Sequence, residues 1–368
     1  MFDQPPIPLR WDIFCRVVDN FGDAGVCWRL AADLARRGHE VRLYIDQPAV
    51  LASLIGDTNH TVSVSIRQWP DDQQTFAQSE IAEVVLEAFA CDPPVAYVSA
   101  MARSDKPPVW INLEYLSAEA WVEANHGLPS PHPRYALTKY FYFPGFTPST
   151  GGLLREPGLI EALDAESTDI NGRPLRIFVF GYFQPRISEW LDAITALESP
   201  TLLNIAPCPA QQQVSEWQSH HAETNALTIS YQPLVPQIEF DRLLAKHDFL
   251  FIRGEDSFVR AQWVAKPLVW QIYPQEENAH LVKLQAFYDR YLDQGILTDE
   301  QRSIYWQFVS AWNDRRETDP EKILAHTWPM LLNIYPLLLE NARVWRHQLL
   351  KQPDLVSQLR DFVGHLVK

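Results

Sequence analysis

The chain has 368 residues, 46% of them hydrophobic, and a formal net charge of −15. That length is too great for one hydrophobic core, so two domains are expected. The acidic balance argues against a protein that grips the phosphate backbone of nucleic acid, and no eighteen-residue apolar run exists to cross a membrane.

In chain order, a strand is predicted over 11–18 and a helix over 24–37, with Val26, Leu30 and Leu34 on one face. Further strands are predicted over 41–45, 62–66, 83–89 and 109–113, with a helix over 94–103 between the last two. This alternation favours a parallel, doubly wound sheet. Residues 128–156 break it. Phe143-Pro144-Gly145-Phe146-Thr147 and Thr150-Gly151-Gly152-Leu153 read as a long loop, a kind of segment that tends to carry function. The polar, turn-rich stretch 168–173 marks the expected boundary, giving domains over 1–170 and 171–353.

Alternation then restarts, with strands over 176–180, 202–205, 227–231, 249–252 and 268–272. Helices are predicted over 188–197, 238–246 and 257–264, and roughly the last eighty residues are helical by period. The fold class is therefore α/β, two doubly wound halves in series, with a ligand cleft expected at the carboxyl ends of the strands. Cys15, Cys27, Cys91 and Cys208 form no Cys-x-x-Cys pair, and the first residues show no basic region followed by an apolar stretch. Reduced thiols, a cytoplasmic location and no secretory signal are expected.

The segment Arg253-Gly254-Glu255-Asp256-Ser257 joins an apolar strand to a helix. The first amides of a helix have no internal partners and favour an anion, to which Arg253 and Ser257 add a charge and a hydroxyl. Two carboxylates in the same turn are odd company for a phosphate and suggest chemistry beside it. Acids in a first turn are also favoured by the helix dipole alone. The first strand ends in a similar turn, Asp19-Asn20-Phe21-Gly22-Asp23-Ala24-Gly25, whose glycine spacing is not that of a dinucleotide site. Its acids suit a cationic partner or a base, or more simply a helix cap at Asp23 and a turn closed by Asp19. Gln237 and Phe240 stand where a base edge and a base face could be met, although a proline-started helix with Phe240 in the core is the simpler explanation of the residues alone. Phe180 and Tyr182 end an aromatic strand that faces the expected cleft. No Asp-x-Asp, His-Glu-x-x-His, Gly-x-Ser-x-Gly or phosphate-loop motif occurs.

At these residues the chain resembles the bacterial protein-arginine rhamnosyltransferases that modify translation elongation factor P. The resemblance rests on 19–26, on Trp110-Ile111-Asn112-Leu113-Glu114-Tyr115-Leu116-Ser117, on both glycine-containing loop motifs through Glu156, on 253–257 and on 267–275. It spans both halves. It implies a glycosyltransferase of the GT-B type, with two facing Rossmann-like domains and a final helix, 354–368, packed back on the first. The amino-terminal domain would face the acceptor and the carboxy-terminal domain would hold the donor. The implied donor is dTDP-β-L-rhamnose, and the implied acceptor is one loop-tip arginine on folded elongation factor P, which is thereby activated to relieve ribosome stalling at polyproline. Transfer would invert the sugar and need no metal or other cofactor, and no nucleic acid or membrane partner is implied.

The resemblance also implies roles for individual residues. Asp23 would be the general base, Asp19 its neighbouring acid and Glu255 a catalytic carboxylate of the donor loop. Arg253, Asp256, Ser257 and Gly22 would serve the diphosphate and sugar. Gln237, Phe240, Phe180 and Tyr182 would serve the thymidine. Two other readings stay open: a transferase of the same fold with another nucleotide sugar or a small-molecule acceptor, and a non-catalytic binding protein. The acids at Asp19, Asp23 and Glu255 argue against the second.

Overall fold

The computed structural model describes residues 8–18, 21–56, 62–71, 73–166, 172–222, 224–275, 279–314 and 322–367. The chain divides into two compact units, Met1–Glu156 with Gln352–Lys368, and Pro157–Lys351.

The first unit is built on strands β1 (Arg10–Cys15), β2 (Glu40–Ile45), β3 (Val64–Gln68), β4 (Val84–Ala88), β5 (Val109–Leu113), β6 (Pro129–Pro131) and β7 (Thr138–Tyr142). They form one sheet in the order β3-β2-β1-β4-β5-β7-β6, parallel except for the β6–β7 pair. Helices α1 (Phe21–Arg36), α2 (Pro48–Ile55), α3 (Val95–Arg103) and α4 (Ala120–Asn125) connect them. A central parallel strand is covered on both faces, so it is apolar along its length. β1 follows the rule, with every residue after Arg10 buried. Its exception is Asp12, whose carboxylate is met by Arg42 at 2.5 and 2.6 Å and by the Tyr97 hydroxyl. Burial pushes the Asp12 pKa up, and the Arg42 hydrogen bonds pull it back.

The second unit begins with α5 (Leu159–Glu166) and continues through β8 (Leu175–Phe180), α6 (Ile187–Ala196), β9 (Thr201–Ile205), α7 (Pro209–His220), β10 (Leu227–Tyr231), α8 (Gln237–Ala245), β11 (Phe249–Arg253), α9 (Asp256–Val264) and β12 (Leu268–Gln271). Helices α10 (Ala279–Leu292), α11 (Asp299–Asn313), α12 (Ile323–Asn333) and α13 (Tyr335–Leu349) follow. The sheet is parallel throughout, in the order β10-β9-β8-β11-β12. In both sheets the strand order reverses at the first strand, which leaves a crevice at the carboxyl ends of β1 and β4, and of β8 and β11.

The last helix, α14 (Leu355–Leu366), lies in the first unit. Leu355, Val356, Leu359 and Val363 enter the same core as Leu30 and Leu34 of α1. Asp354 caps α14 by accepting from the Ser357 amide at 2.9 Å, and it pairs with Arg37 at 2.8 Å. The chain passes close to Gly152 there: a Cβ on that glycine, whose φ is +70°, would lie 2.7 Å from the Pro353 carbonyl oxygen.

Several elements differ from the sequence expectation. β1 stops at Cys15 because the next amides turn to side chains: Val17 N–H donates to Asp46 Oδ1 at 3.0 Å and Val18 N–H to Asp23 Oδ2 at 2.8 Å. Residues 128–156 are not one long loop. Thr138–Tyr142 joins the sheet as β7, between β5 and β6, a pairing that local composition does not reveal. α2 and α7 were not expected, although each starts with a proline, Pro48 and Pro209, in its first turn.

Candidate active site

In the second unit the fold gathers eight of the candidate residues around the carboxyl ends of β8 and β11. β11 carries Arg253 at its last position, 8% exposed among buried neighbours. Its guanidinium carbon lies 4.6 Å from the Phe180 ring centre and 4.7 Å from that of Tyr182, both at the end of β8. Such cation–π contacts fix the planar group where a side chain of lysine shape would not fit as well. The chain then turns at Gly254, with φ +67°, a conformation that glycine adopts without a Cβ penalty. α9 starts directly after, with Glu255 as its N-cap residue and Asp256 and Ser257 in its first turn.

Each acid of this turn has a defined partner. Glu255 Oε1 meets Lys283 Nζ at 2.7 Å, and Asp256 Oδ2 accepts from Gln237 Nε2 at 3.1 Å. The second contact ties the start of α8 to the start of α9. Phe240, one turn further along α8, is half-buried and meets the Phe178 and Phe180 rings edge-on at 5.7 and 5.8 Å. Tyr182 packs edge-on against Tyr273 at 5.7 Å. The arrangement offers a helix N-terminus, a fixed guanidinium and a hydroxyl to an anion, bordered by aromatic faces suited to a ring.

Gly22 and Asp23 belong to the first unit, at positions two and three of α1. Asp23 is 3% exposed, and its bond from the Val18 amide closes the turn between β1 and α1. Asp19 lies outside the described residues. Among the described residues, no three His, Cys, Asp or Glu side chains are grouped as a metal ion would require.

The structure adds residues that the sequence did not single out. Lys283 comes from α10 and had no local signal. Gln271 accepts the Tyr182 amide at 2.7 Å and donates to the Phe183 carbonyl at 3.2 Å, so it shapes the turn after β8. A Cβ at Gly181 would sit 2.8 Å from Gln271 Oε1, which accounts for glycine there. Trp270 Nε1 donates to the Gly254 carbonyl at 2.8 Å and holds the backbone of the turn between β11 and α9. In the first unit, Asn112 Oδ1 accepts the Ala90 amide at 3.0 Å while its Nδ2 donates to Glu114 Oε1 at 2.6 Å. Burial raises the Glu114 pKa against that hydrogen bond. Beside it, Phe89 and Tyr115 stack at 4.3 Å, with Phe89 and Ala90 both at positive φ.

Comparison with known proteins gives a consistent picture. Residues 11–364 match the family model of the elongation factor P (EF-P) rhamnosyltransferase EarP. Protein-arginine rhamnosyltransferases of Pseudomonas putida and Shewanella oneidensis are 40% and 34% identical; each alignment covers 96% of this chain, and 98% and 97% of theirs. A solved structure concerned with EarP-mediated arginine glycosylation of EF-P is 28% identical, has a TM-score of 0.65, and covers 97% of this chain and 99% of its own. MurG of Acinetobacter baumannii, 15% identical with a TM-score of 0.56 and covering 97% of this chain and 99% of its own, shares the fold.

Proposed function

The chain belongs to the EF-P rhamnosyltransferase EarP family, and from that premise we propose that it moves L-rhamnose from dTDP-β-L-rhamnose to a guanidinium nitrogen of one arginine on folded EF-P. The observation that carries the donor half is the start of α9, where Arg253, Glu255, Asp256 and Ser257 collect at the carboxyl end of β11. Amides at that terminus, with Arg253 and Ser257, would stabilise the leaving diphosphate. Phe240, Phe180 and Tyr182 would border the thymidine, with Gln237 at the base edge.

The acceptor chemistry explains the acids. A guanidinium is protonated at neutral pH, with a pKa above about 12, and has no lone pair to offer. A carboxylate can hold it by two hydrogen bonds and take one proton as the new bond forms. Asp23 is assigned that role, and Asp19 is assigned the part of the second acid that the family resemblance implies. The guanidinium nitrogen attacks C1 of the sugar, the C1–oxygen bond to the diphosphate breaks, the proton passes to Asp23, and dTDP leaves with inversion at C1. The sugar acquires oxocarbenium character, and Glu255 would either stabilise that charge or orient the guanidinium.

The test is incubation with EF-P and dTDP-L-rhamnose in EDTA, followed by intact-mass measurement of the acceptor. A single deoxyhexose, absent when the loop-tip arginine is replaced by lysine, is expected. Asp23→Asn should retain dTDP binding and lose about 10²–10⁴-fold in turnover, the usual worth of a positioned base. No mass shift with any dTDP-sugar would overturn the donor and acceptor assignment together, and wild-type turnover by Asp23→Asn would overturn the base.

A further inference from the structure

Glu255 occupies the N-cap of α9, the position from which a side-chain acceptor ordinarily satisfies the helix's own first amides. It makes no such hydrogen bond. Its Oε1 is instead 2.7 Å from Lys283 Nζ, in a pair whose side chains are only 15% and 18% exposed. The partner comes from a separate helix, α10, 28 residues further on. The surroundings keep this pair in place. Lys283 Nζ lies 6.0 Å from the Trp270 ring centre. The same indole stacks on Phe258 at 3.9 Å and hydrogen-bonds the Gly254 carbonyl that precedes Glu255. One aromatic side chain thus supports both the loop that carries the acid and the cation that receives it.

A carboxylate and a diphosphate are both anions, and both are drawn to the positive end of a helix. An unrestrained Glu255 would therefore compete, from within the chain, for the amides that the donor needs. We propose that Lys283 is a positioning residue for Glu255: it holds the carboxylate off the N-terminus of α9, so that the helix end stays open to the donor's diphosphate and the acid stays directed to the transfer reaction. This rests on the reading of the α9 start as the donor site. Lys283 is assigned no contact with the substrate; its effect runs through Glu255.

Four variants test it: Lys283→Met, Lys283→Arg, Glu255→Gln, and Lys283→Met combined with Glu255→Gln. dTDP affinity is read by titration calorimetry, and kcat and KM for the donor by acceptor mass. Lys283→Met should bind dTDP about tenfold more weakly and lose about 100-fold in kcat, the scale of a displaced catalytic group. Lys283→Arg, which keeps a cation, should recover most of both. The double variant should recover dTDP affinity but not kcat, because no carboxylate remains to compete. A double variant as weak in dTDP binding as Lys283→Met would mean that Lys283 itself grips the diphosphate, and would overturn the positioning role. Wild-type affinity and turnover in Lys283→Met would overturn it as well. Should Lys283→Met fold poorly by its thermal melt, Lys283→Gln takes its place with the same expectations. Full turnover by Glu255→Gln is a distinct failure: it would remove Glu255 from catalysis, while the dTDP measurements would still decide whether Lys283 restrains it.

Discussion

Arg260 lies in α9, 2% exposed, and forks onto Asp241 of α8, Nε to Oδ1 at 2.9 Å and Nη2 to Oδ2 at 2.7 Å. Arg260→Met should be one of the most damaging single changes in the second unit. Methionine keeps an apolar stem of similar length, but it leaves Asp241, 7% exposed, without the guanidinium that offsets its charge. Breaking a buried pair from one side costs about 3–5 kcal/mol. For a unit of this length each kcal/mol moves Tm by about 2–4 °C, so the melt should fall by about 6–20 °C. Adding Asp241→Asn removes the stranded charge and should return about half of the loss. The clamp also sets α8 against α9, and the Gln237–Asp256 bond at 3.1 Å depends on that register. dTDP affinity should therefore fall in the single variant and partly return in the double. Urea unfolding followed by tryptophan fluorescence and circular dichroism measures the stability, and calorimetry the affinity. A single variant within about 1 kcal/mol of wild type, or a double no better than the single, would refute the argument that this pair is a charge-compensated clamp.

Two further outcomes follow from the geometry. Arg253→Lys keeps the charge but loses the planar group that lies over Phe180 and Tyr182, so dTDP should bind about tenfold more weakly by calorimetry, and unchanged affinity would remove the stacking argument. His247 is 3% exposed, with Nδ1 2.7 Å from the Leu243 carbonyl oxygen and Nε2 2.8 Å from Asn204 Nδ2. Burial lowers its pKa from 6.5 to about 4, so between those values the unfolded chain takes up a proton that the folded chain refuses. Stability contributed by this group is therefore full at neutral pH and declines as pH falls from 6.5 towards 4, by about 2–3 kcal/mol between pH 7 and pH 4.5. Urea midpoints at the two pH values should differ less in His247→Gln than in wild type, and an equal acid sensitivity would rule His247 out as the cause.

Much of the fold was legible in the sequence because its causes are local. Apolar runs such as Phe249 to Ile252, ended by Gly254 and followed by a helical period, announce a buried strand, a turn and a helix within a dozen or so residues. The residues of the turn from β11 into α9 were legible for the same reason, since Arg253 through Ser257 are contiguous and the first amides of any helix behave alike. Their partners were not. Lys283 reaches Glu255 across 28 residues, Gln271 reaches the Tyr182 amide across 89, and Arg37 reaches Asp354 across 317. β7 was hidden too, because Thr138–Tyr142 is a strand only once β5 lies beside it. The sequence by itself determined the alternation of elements, the two glycine-containing turns and the residue types offered in them. Tertiary structure alone decided which charge answers which. A hydrogen bond or an ion pair forms only at contact distance, and contact between distant segments is set by strand order and helix packing, which no local period encodes.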